Sequence, residues 1–85
     1  MYVIGDIGNT ETKIWVYSTQ KKIIKKIILK SNSIKSQYLK KNLFYIFKKK
    51  DVIKKAIFSS VVPKLFKLIK FFLLKNFKLK AFEIK

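Results

Sequence analysis

The sequence predicts one small α/β domain with a mixed sheet and the element order βββαβαβ. Three observations support this prediction: a pair of short apolar segments flanks Gly8 and Asn9, a segment with helical periodicity precedes the β-rich stretch AIFSSVV, and a second helical segment begins at Pro63. Long helices between strands imply crossover connections, and crossovers place the strands they join parallel to each other. A chain of 85 residues provides one domain, or one lobe of a larger one.

The first three segments are predicted as strands. Residues 2–7 form an apolar run that ends at Gly8 and Asn9, and residues 12–17 are rich in β-branched and aromatic types, which together indicate a β-hairpin. In residues 21–30 the apolar pairs fit a helical period better than strict alternation. Their β-branched content and their position after a strand nevertheless favour a third strand.

A helix is predicted over residues 33–49, with Ser33 as its N-cap. The lysines at 48–50 then occupy the last turn, where the helix dipole favours cations. One side of this helix is predicted to be apolar and to carry Ile34, Tyr38, Leu39, Leu43, Ile46 and Phe47.

The second half of the sequence is predicted to form a strand, a helix and a last strand. Residues 56–62 read as a strand, and Pro63 holds the residue before it in an extended conformation. Proline suits the first turn of a helix, which we expect to run through about Asn76. The tail KLKAFEIK, residues 78–85, alternates well enough for a final strand.

The composition narrows the possible functions. The net charge is +17, yet all 21 basic residues are lysine, together with many isoleucines and phenylalanines, as expected of drift in an A/T-rich genome. A dedicated nucleic-acid reader ordinarily uses arginine for bidentate contacts, so we expect no dedicated nucleic-acid partner. The absence of cysteine and histidine excludes disulfides and the usual zinc sites and is compatible with a cytoplasmic location. The first residues lack the features of a signal peptide.

The helix that follows Pro63 offers an alternative function. Lysines 64, 67, 70 and 75 fall on one side of this helix and apolar residues on the other, with Phe71 and Leu74 on the lysine side. Such a helix occurs in non-enzymatic basic proteins that bind anionic membranes or nucleic acid. It is also what an α/β domain contains when the apolar side packs on the sheet, and this second interpretation is favoured, with no dedicated membrane partner expected.

The stretch GDIGNTETK contains both glycines of the chain and carries a candidate phosphate site. Gly8 permits a positive φ, and the amides of Gly8, Asn9 and Thr10 then converge into an anion-binding concavity to which Lys13 adds a charge. Asp6 beside such a cradle is expected to hold Mg²⁺ through water, which implies ATP as the ligand. In the alternative interpretation Gly8 and Asn9 are a hairpin turn and nothing more.

Two motifs together resemble a known family. DIGNTETK at residues 6–13 and SSVVP at residues 59–63 are similar to the N-terminal part of the type III pantothenate kinases, which belong to the superfamily of actin, sugar kinases and Hsp70-type chaperones. The resemblance implies a ribonuclease H-like first lobe, ATP, Mg²⁺ and a monovalent cation, K⁺ or NH₄⁺, as cofactors, and a homodimer in the full-length family. The resemblance also implies contacts to the ATP phosphates from Asp6, Gly8, Asn9, Thr10 and Lys13, and a Mg²⁺ site at Asp6.

The resemblance covers the whole chain, residues 1–85, as a single incomplete lobe, and leaves out the family segment with the general base. We therefore expect no catalytic residue here, because the uncommitted acids Asp51 and Glu83 lie in no matching motif. The expected function is ATP binding for phosphorylation of pantothenate, the first step toward coenzyme A, with pantothenate bound only if the missing half is supplied. The chain is expected to be a truncated product or to have a complementing C-terminal chain. Ser59 and Ser60 either line the cleft or end the strand and cap the next helix.

Overall fold

The computed structural model describes residues 1–47 and 55–84, and the elements in these ranges follow the predicted order along the chain. A 3₁₀ helix, Ser31–Ser33, precedes the first α-helix. The α/β class and the mixed sheet are confirmed. The strands and α-helices are β1 Tyr2–Ile7, β2 Glu11–Tyr17, β3 Ile23–Lys30, α1 Ser36–Phe47, β4 Lys55–Ser60, α2 Pro63–Phe77 and β5 Ala81–Ile84.

The five strands form one sheet in the spatial order β3-β2-β1-β4-β5. The pairs β1/β2 and β2/β3 are antiparallel, whereas β1/β4 and β4/β5 are parallel. The parallel pair β4/β5 is joined by a connection that contains α2, as a crossover requires. β1 therefore lies at the centre, and the turn that leaves it lies beside the end of β4.

Alternation along the strands separates two faces of the sheet. Val3, Gly5 and Ile7 of β1 are buried, whereas Ile4 and Asp6 between them are exposed. Both helices contribute to a single core on the first of these faces, so the face that bears Tyr2, Ile4 and Asp6 is the open face. The core consists of Met1, Val3, Ile7, Ile14, Val16, Ile27, Ile34, Leu39, Leu43, Ala56, Phe58, Leu65, Phe66, Ile69, Phe72, Leu73, Leu79 and Ala81.

Gly5 makes room for the largest fully buried side chain of this core. It pairs with Phe58 across the parallel strands β1 and β4. A Cβ atom at position 5 would overlap the Phe58 ring, so the ring rests directly on the β1 backbone. From there Phe58 reaches Phe66 of α2, with ring centroids 6.2 Å apart. The glycine thus sets how closely α2 approaches the sheet.

The predicted start of α1 is wrong. The helix begins at Ser36, and the Lys35 carbonyl accepts hydrogen bonds from the amides of Tyr38 and Leu39. Ser33 belongs to the 3₁₀ helix, and its hydroxyl donates to the side-chain oxygen of Asn32 instead of capping α1. The reason is that the chain leaving β3 first makes a separate turn around Ser31, which moves the start of the helix two residues along the chain.

The apolar side predicted for α1 is confirmed in part. Leu39 and Leu43 are fully buried, and Ile34 is buried just before the helix. Tyr38 is 51% exposed, so its ring is not part of the core. The predicted side-chain positions of Ile46 and Phe47, and the lysines at 48–50, lie outside the described residues.

The amphipathic character of α2 is used for packing against the sheet. Its lysines are exposed, and its buried residues are Leu65, Phe66, Ile69, Phe72 and Leu73. Pro63 occupies the first turn as predicted, and the helix ends where Lys78 adopts a left-handed conformation with a φ of 52°. In the described ranges neither α-helix has the length and apolarity needed to cross a bilayer. The core position of the apolar side favours the packing interpretation over membrane binding.

Candidate nucleotide site

The turn of residues 8–10 joins β1 to β2 and is closed by a backbone hydrogen bond. The amide of Gly8 donates to the carbonyl of Glu11 at 2.9 Å. Neither glycine has a positive φ, so the conformational freedom that Gly8 permits is not used in this turn. What this position requires is space, because a Cβ on Gly8 would lie 2.9 Å from the Glu11 carbonyl oxygen. A glycine here allows the tight closure of the hairpin.

This closure also corrects the predicted three-amide cradle. Because the Gly8 amide points into the hairpin, it is not directed at a ligand. Asn9 and Thr10 are exposed at the tip of the turn, and hydrogen bonds from their amides to protein are absent within the part of the chain that the structure describes. The donors that the turn presents to an anion are therefore those of Asn9 and Thr10.

Ser31, the residue that follows β3, holds the turn through hydrogen bonds. The Ser31 hydroxyl donates to the Gly8 carbonyl at 2.6 Å, and the Ser31 amide donates to the Thr10 carbonyl at 2.9 Å. Ser31 Oγ also lies 2.9 Å from the hydroxyl oxygen of the buried Thr12. Since the single Ser31 proton is directed to Gly8, Thr12 donates this bond. The shape of the turn is thus fixed by side chains outside it.

Ser31 was not predicted from the sequence as part of the site. In SNSIKS it is one of three serines in a short polar segment, and nothing local distinguishes it from Ser33. Its role depends on the pairing of β3 with β2, which brings Lys30 opposite Glu11 and places Ser31 under the turn. The contacts that identify Ser31 therefore form only when the sheet is assembled.

Replacing Ser31 with alanine is expected to lower the free energy of unfolding by about 1 to 3 kcal/mol, because it removes the bond to Gly8 and leaves the buried Thr12 hydroxyl without its acceptor. Urea unfolding followed by far-UV circular dichroism measures this change. Ser33→Ala is the matched control, since Ser33 is exposed and its hydroxyl donates to the side chain of its neighbour Asn32. Equal effects of the two substitutions would contradict the role of Ser31.

Asp6 lies on the open face, two residues before the turn of residues 8–10. Its neighbours across the sheet are Lys13 on β2 and Ser59 on β4. Side chains opposite each other in antiparallel strands have Cβ atoms about 5 Å apart, so the Lys13 side chain is a direct neighbour of the Asp6 side chain. Glu11 lies on the same face opposite Lys30 and was not predicted from the sequence as a site residue. At this end of the open face, each of the two acids therefore lies opposite a lysine on the neighbouring strand.

Ser59 and Ser60 have different positions, although they are adjacent in sequence. Ser59 is exposed and faces the same side as Asp6. The hydroxyl of Ser60 donates to the Val62 carbonyl at 3.0 Å and accepts from the Val62 amide at 3.1 Å. α2 has no side-chain hydrogen bond at its N-cap, so Ser60 shapes the strand end and does not cap the helix. Only Ser59 lies where it could contact a ligand beside Asp6.

The residues beside the turn fit a Mg²⁺ ion whose other ligands are phosphate oxygens and water. Groups of three or more His, Cys, Asp or Glu side chains that could hold an ion are absent from the described ranges. An exposed single carboxylate such as Asp6 is what Mg²⁺ uses when phosphate oxygens and water supply its other ligands. Glu83 pairs with Phe58 on the helix-covered face of the sheet and is not near this site, and Asp51 lies outside the described residues.

The chain is similar to known proteins of one family. The family model described as Type III pantothenate kinase matches residues 2–85. The chain is 44% identical over 85 residues to the type III pantothenate kinase of Pelagibacter ubique (strain HTCC1062). This similarity covers 100% of the chain and 34% of that relative, so the chain spans about a third of the length of the curated protein it matches.

Proposed function

The chain belongs to the type III pantothenate kinase family, and we propose that it is the ATP-binding N-terminal part of such a kinase. In this proposal the sheet is the ribonuclease H-like first lobe of an actin-like fold. The γ-phosphoryl group of ATP is transferred to the hydroxyl of pantothenate, which gives ADP and phosphopantothenate, the first step toward coenzyme A. The observation that carries the proposal is the convergence of Asp6, Lys13 and the turn of residues 8–10 at one end of the open face.

Each group at this end of the sheet has a distinct part in holding the phosphates. The amides and side chains of Asn9 and Thr10 donate to phosphate oxygens, Gly8 lets the turn close tightly, and Lys13 offsets negative charge. Asp6 would hold Mg²⁺ through water, and the ion would supply neutralisation of the phosphate charge. This is positioning and electrostatic stabilisation, which is most of what phosphoryl transfer requires from a protein.

The remaining parts of the reaction belong to polypeptide beyond this lobe. The general base, the K⁺ or NH₄⁺ site and the pantothenate pocket are supplied by the rest of the enzyme, as one continuous homodimeric protein or as a complementing C-terminal chain, in the cytoplasm. The 34% coverage of the Pelagibacter relative supports this division. A single wall of the site holds nucleotide but neither orients an acceptor nor excludes water.

The purified chain of 85 residues is therefore expected to form no phosphopantothenate above the level of an Asp6→Ala variant. Adding the remaining two thirds of the Pelagibacter protein as a separate polypeptide is expected to produce Asp6-dependent activity. Both are measured by the appearance of phosphopantothenate and ADP from pantothenate and MgATP. Activity of the chain alone would overturn the division of roles. Absence of ATP binding, by calorimetry with or without the second polypeptide, would refute the proposed function itself.

A further inference from the structure

β3 stands at one edge of the sheet, and its outer side has no pairing strand among the described residues. It is bonded to β2 on its other side. The N–H and C=O groups of alternate residues in a strand point to opposite sides, so about half of those in Ile23–Lys30 are directed away from β2. Within residues 1–47 and 55–84, no backbone group outside the sheet bonds to this outer side. The backbone of an eight-residue strand is therefore available for pairing.

Exposed apolar side chains accompany the unpaired backbone of β3. Ile23, Ile24 and Ile28 are 59%, 50% and 51% exposed. Scattered single apolar residues on a surface need no explanation, but these three fall within six consecutive residues. Side chains of paired strands have Cβ atoms about 5 Å apart, so a strand added at this edge would cover these isoleucines.

A pocket of about 210 Å³ lies between the last residues of β3 and the start of α1. Its lining consists of Ile28, Leu29, Lys30, Ser33, Ile34 and Tyr38. Small-molecule sites usually measure about 300–1,000 Å³, so this pocket suits one inserted side chain better than a complete ligand. Tyr38 was predicted on the apolar side of α1 but is 51% exposed, and its ring is available to such a side chain. Recognition by strand addition combines these two features, because backbone hydrogen bonds give affinity and side-chain pockets give specificity.

Two lysines in the middle of β3 define the charge of the strand that fits this edge. Lys25 and Lys26 lie on opposite faces of the sheet, because they pair with Val16 and Trp15 on β2. Neither lysine has an acid opposite it on β2, and residues 12–50 contain no Asp or Glu. An added strand with an acid beside each lysine would form favourable pairs on both faces of the sheet.

The same lysines argue against a second copy of this chain as the added strand. Lysines on an edge strand discourage pairing between identical chains, since like charges opposite each other are destabilising. Two copies would also bring together two net charges of +17. The occupant is therefore a different polypeptide segment, one that is negatively charged.

From these observations we propose that β3 binds an extended acidic segment of a partner polypeptide, which adds a strand to the sheet at this edge. One apolar side chain of that segment enters the pocket beside Tyr38, and acidic side chains lie beside Lys25 and Lys26, one on each face. Backbone hydrogen bonds and apolar burial provide the affinity, and the lysines select the partner. The inference goes beyond the proposed nucleotide function and does not require it.

Hydrogen exchange of the β3 amides, followed residue by residue by NMR, tests this proposal. The chain is titrated with a peptide of about ten residues, the length of a long strand, that has two central glutamates between alternating isoleucines and threonines. Exchange is expected to slow at alternate residues of β3, because the N–H groups that point outward acquire acceptors in the peptide. Unchanged exchange in β3 at saturating peptide would refute the proposal.

N-methylation of the peptide separates strand addition from side-chain contact alone. Two peptides are methylated at alternate residues, in complementary sets, so that only one of them keeps its N–H donors on the side that faces β3. This peptide is expected to bind and the other is not. Equal binding of the two would show that the backbone of β3 is not the contact.

Substitutions in the chain test the side-chain contacts. Lys25→Glu combined with Lys26→Glu is expected to weaken binding of the unmethylated peptide about tenfold or more, since both acids of the peptide then face like charges. Tyr38→Ser removes the exposed ring from the pocket and is expected to weaken binding by a similar factor.

The matched controls change the same kinds of side chain away from β3. Lys40→Glu combined with Lys41→Glu alters the charge equally at exposed positions of α1, and Phe71→Ser removes a ring that is 64% exposed on α2. Both are expected to bind the peptide as the unaltered chain does, and circular dichroism establishes that all variants are folded. Equal losses in the β3 variant and its α1 control, or equal binding of a peptide with lysines in place of the glutamates, would refute the proposal.

Other occupants of the edge are distinguished by the same exchange measurement. The proposal would fall if anionic vesicles, single-stranded oligothymidine or the chain itself at high concentration slowed exchange of the β3 amides and the acidic peptide did not. Loss of ATP binding with intact peptide binding would refute only the nucleotide proposal.

Discussion

Replacing Gly5 with alanine is expected to lower the free energy of unfolding by about 3 kcal/mol, the upper range for forcing an extra group into a packed core. The added methyl would overlap the Phe58 ring, which is fully buried and contacts Phe66 of α2. The loss of unfolded-state entropy that makes many glycine-to-alanine changes stabilising, about 0.4–1 kcal/mol, is smaller than this cost. Urea unfolding of the purified variant measures the difference.

A second substitution, at Phe58, tests whether the overlap with its ring causes the loss of stability in Gly5→Ala. In Gly5→Ala combined with Phe58→Leu, the smaller side chain accommodates the new methyl group, so the double variant is expected to be less destabilised than the sum of the single changes. Ile4→Ala serves as a control on the same strand, because Ile4 faces the other side of the sheet. A Gly5→Ala protein as stable as the parent would show that the contact between Gly5 and Phe58 does not limit the packing.

Replacing Asp6 with asparagine is expected to remove the enhancement of ATP affinity by Mg²⁺. Groups that hold a metal through its water ligands typically contribute a factor of about 10 to 100 in metal affinity, so a loss of this size is expected in the presence of Mg²⁺. With EDTA the sign reverses: the variant is expected to bind ATP at least as tightly as the parent, since the carboxylate no longer repels the phosphates. Isothermal titration calorimetry of both proteins, with Mg²⁺ and with EDTA, measures the two effects.

Two further acids serve as controls for this substitution. Glu83→Gln removes the same charge from the helix-covered face and is expected to leave both affinities unchanged. Glu11→Gln removes a carboxylate on the same face as Asp6, opposite Lys30, and tests whether any acid near the turn has the same effect. An unchanged Mg²⁺ dependence in Asp6→Asn, or an equal loss in Glu83→Gln, would assign the ion to another position.

The parts of the fold that depend on neighbouring residues could be predicted from the sequence. β1 is observed with the predicted bounds, Tyr2–Ile7, because alternating burial is already visible in the residue types. Pro63 fixed the start of α2 for the same local reason. β3 was harder, since it lies at the edge of the sheet and most of its residues are exposed. With Ile27 as its buried residue, the strand has little alternation to detect.

The features that were missed depend on contacts between distant parts of the chain. Gly5 meets Phe58 only after β1 and β4 have paired, and Ser31 meets Gly8 only after β3 has joined the sheet. The chain segment around Ser33 has a good capping residue, yet the local turn at Ser31 determined where the helix began. For the candidate site, the motif indicated the residues of the turn, but the direction of the Gly8 amide follows from the hairpin hydrogen bond and could not be read from residue types.

The attachment of the turn to Ser31 also has a consequence for the order of events during folding. A hairpin of β1 and β2 can form in microseconds from local contacts alone. The bonds from Ser31 to Gly8 and Thr10, however, span more than 20 residues and are made only when β3 is in register. The turn that faces the nucleotide in our proposal therefore acquires its final shape late, after the three-stranded part of the sheet is complete. A partly folded chain has the motif in its sequence but not yet the geometry that would bind phosphate.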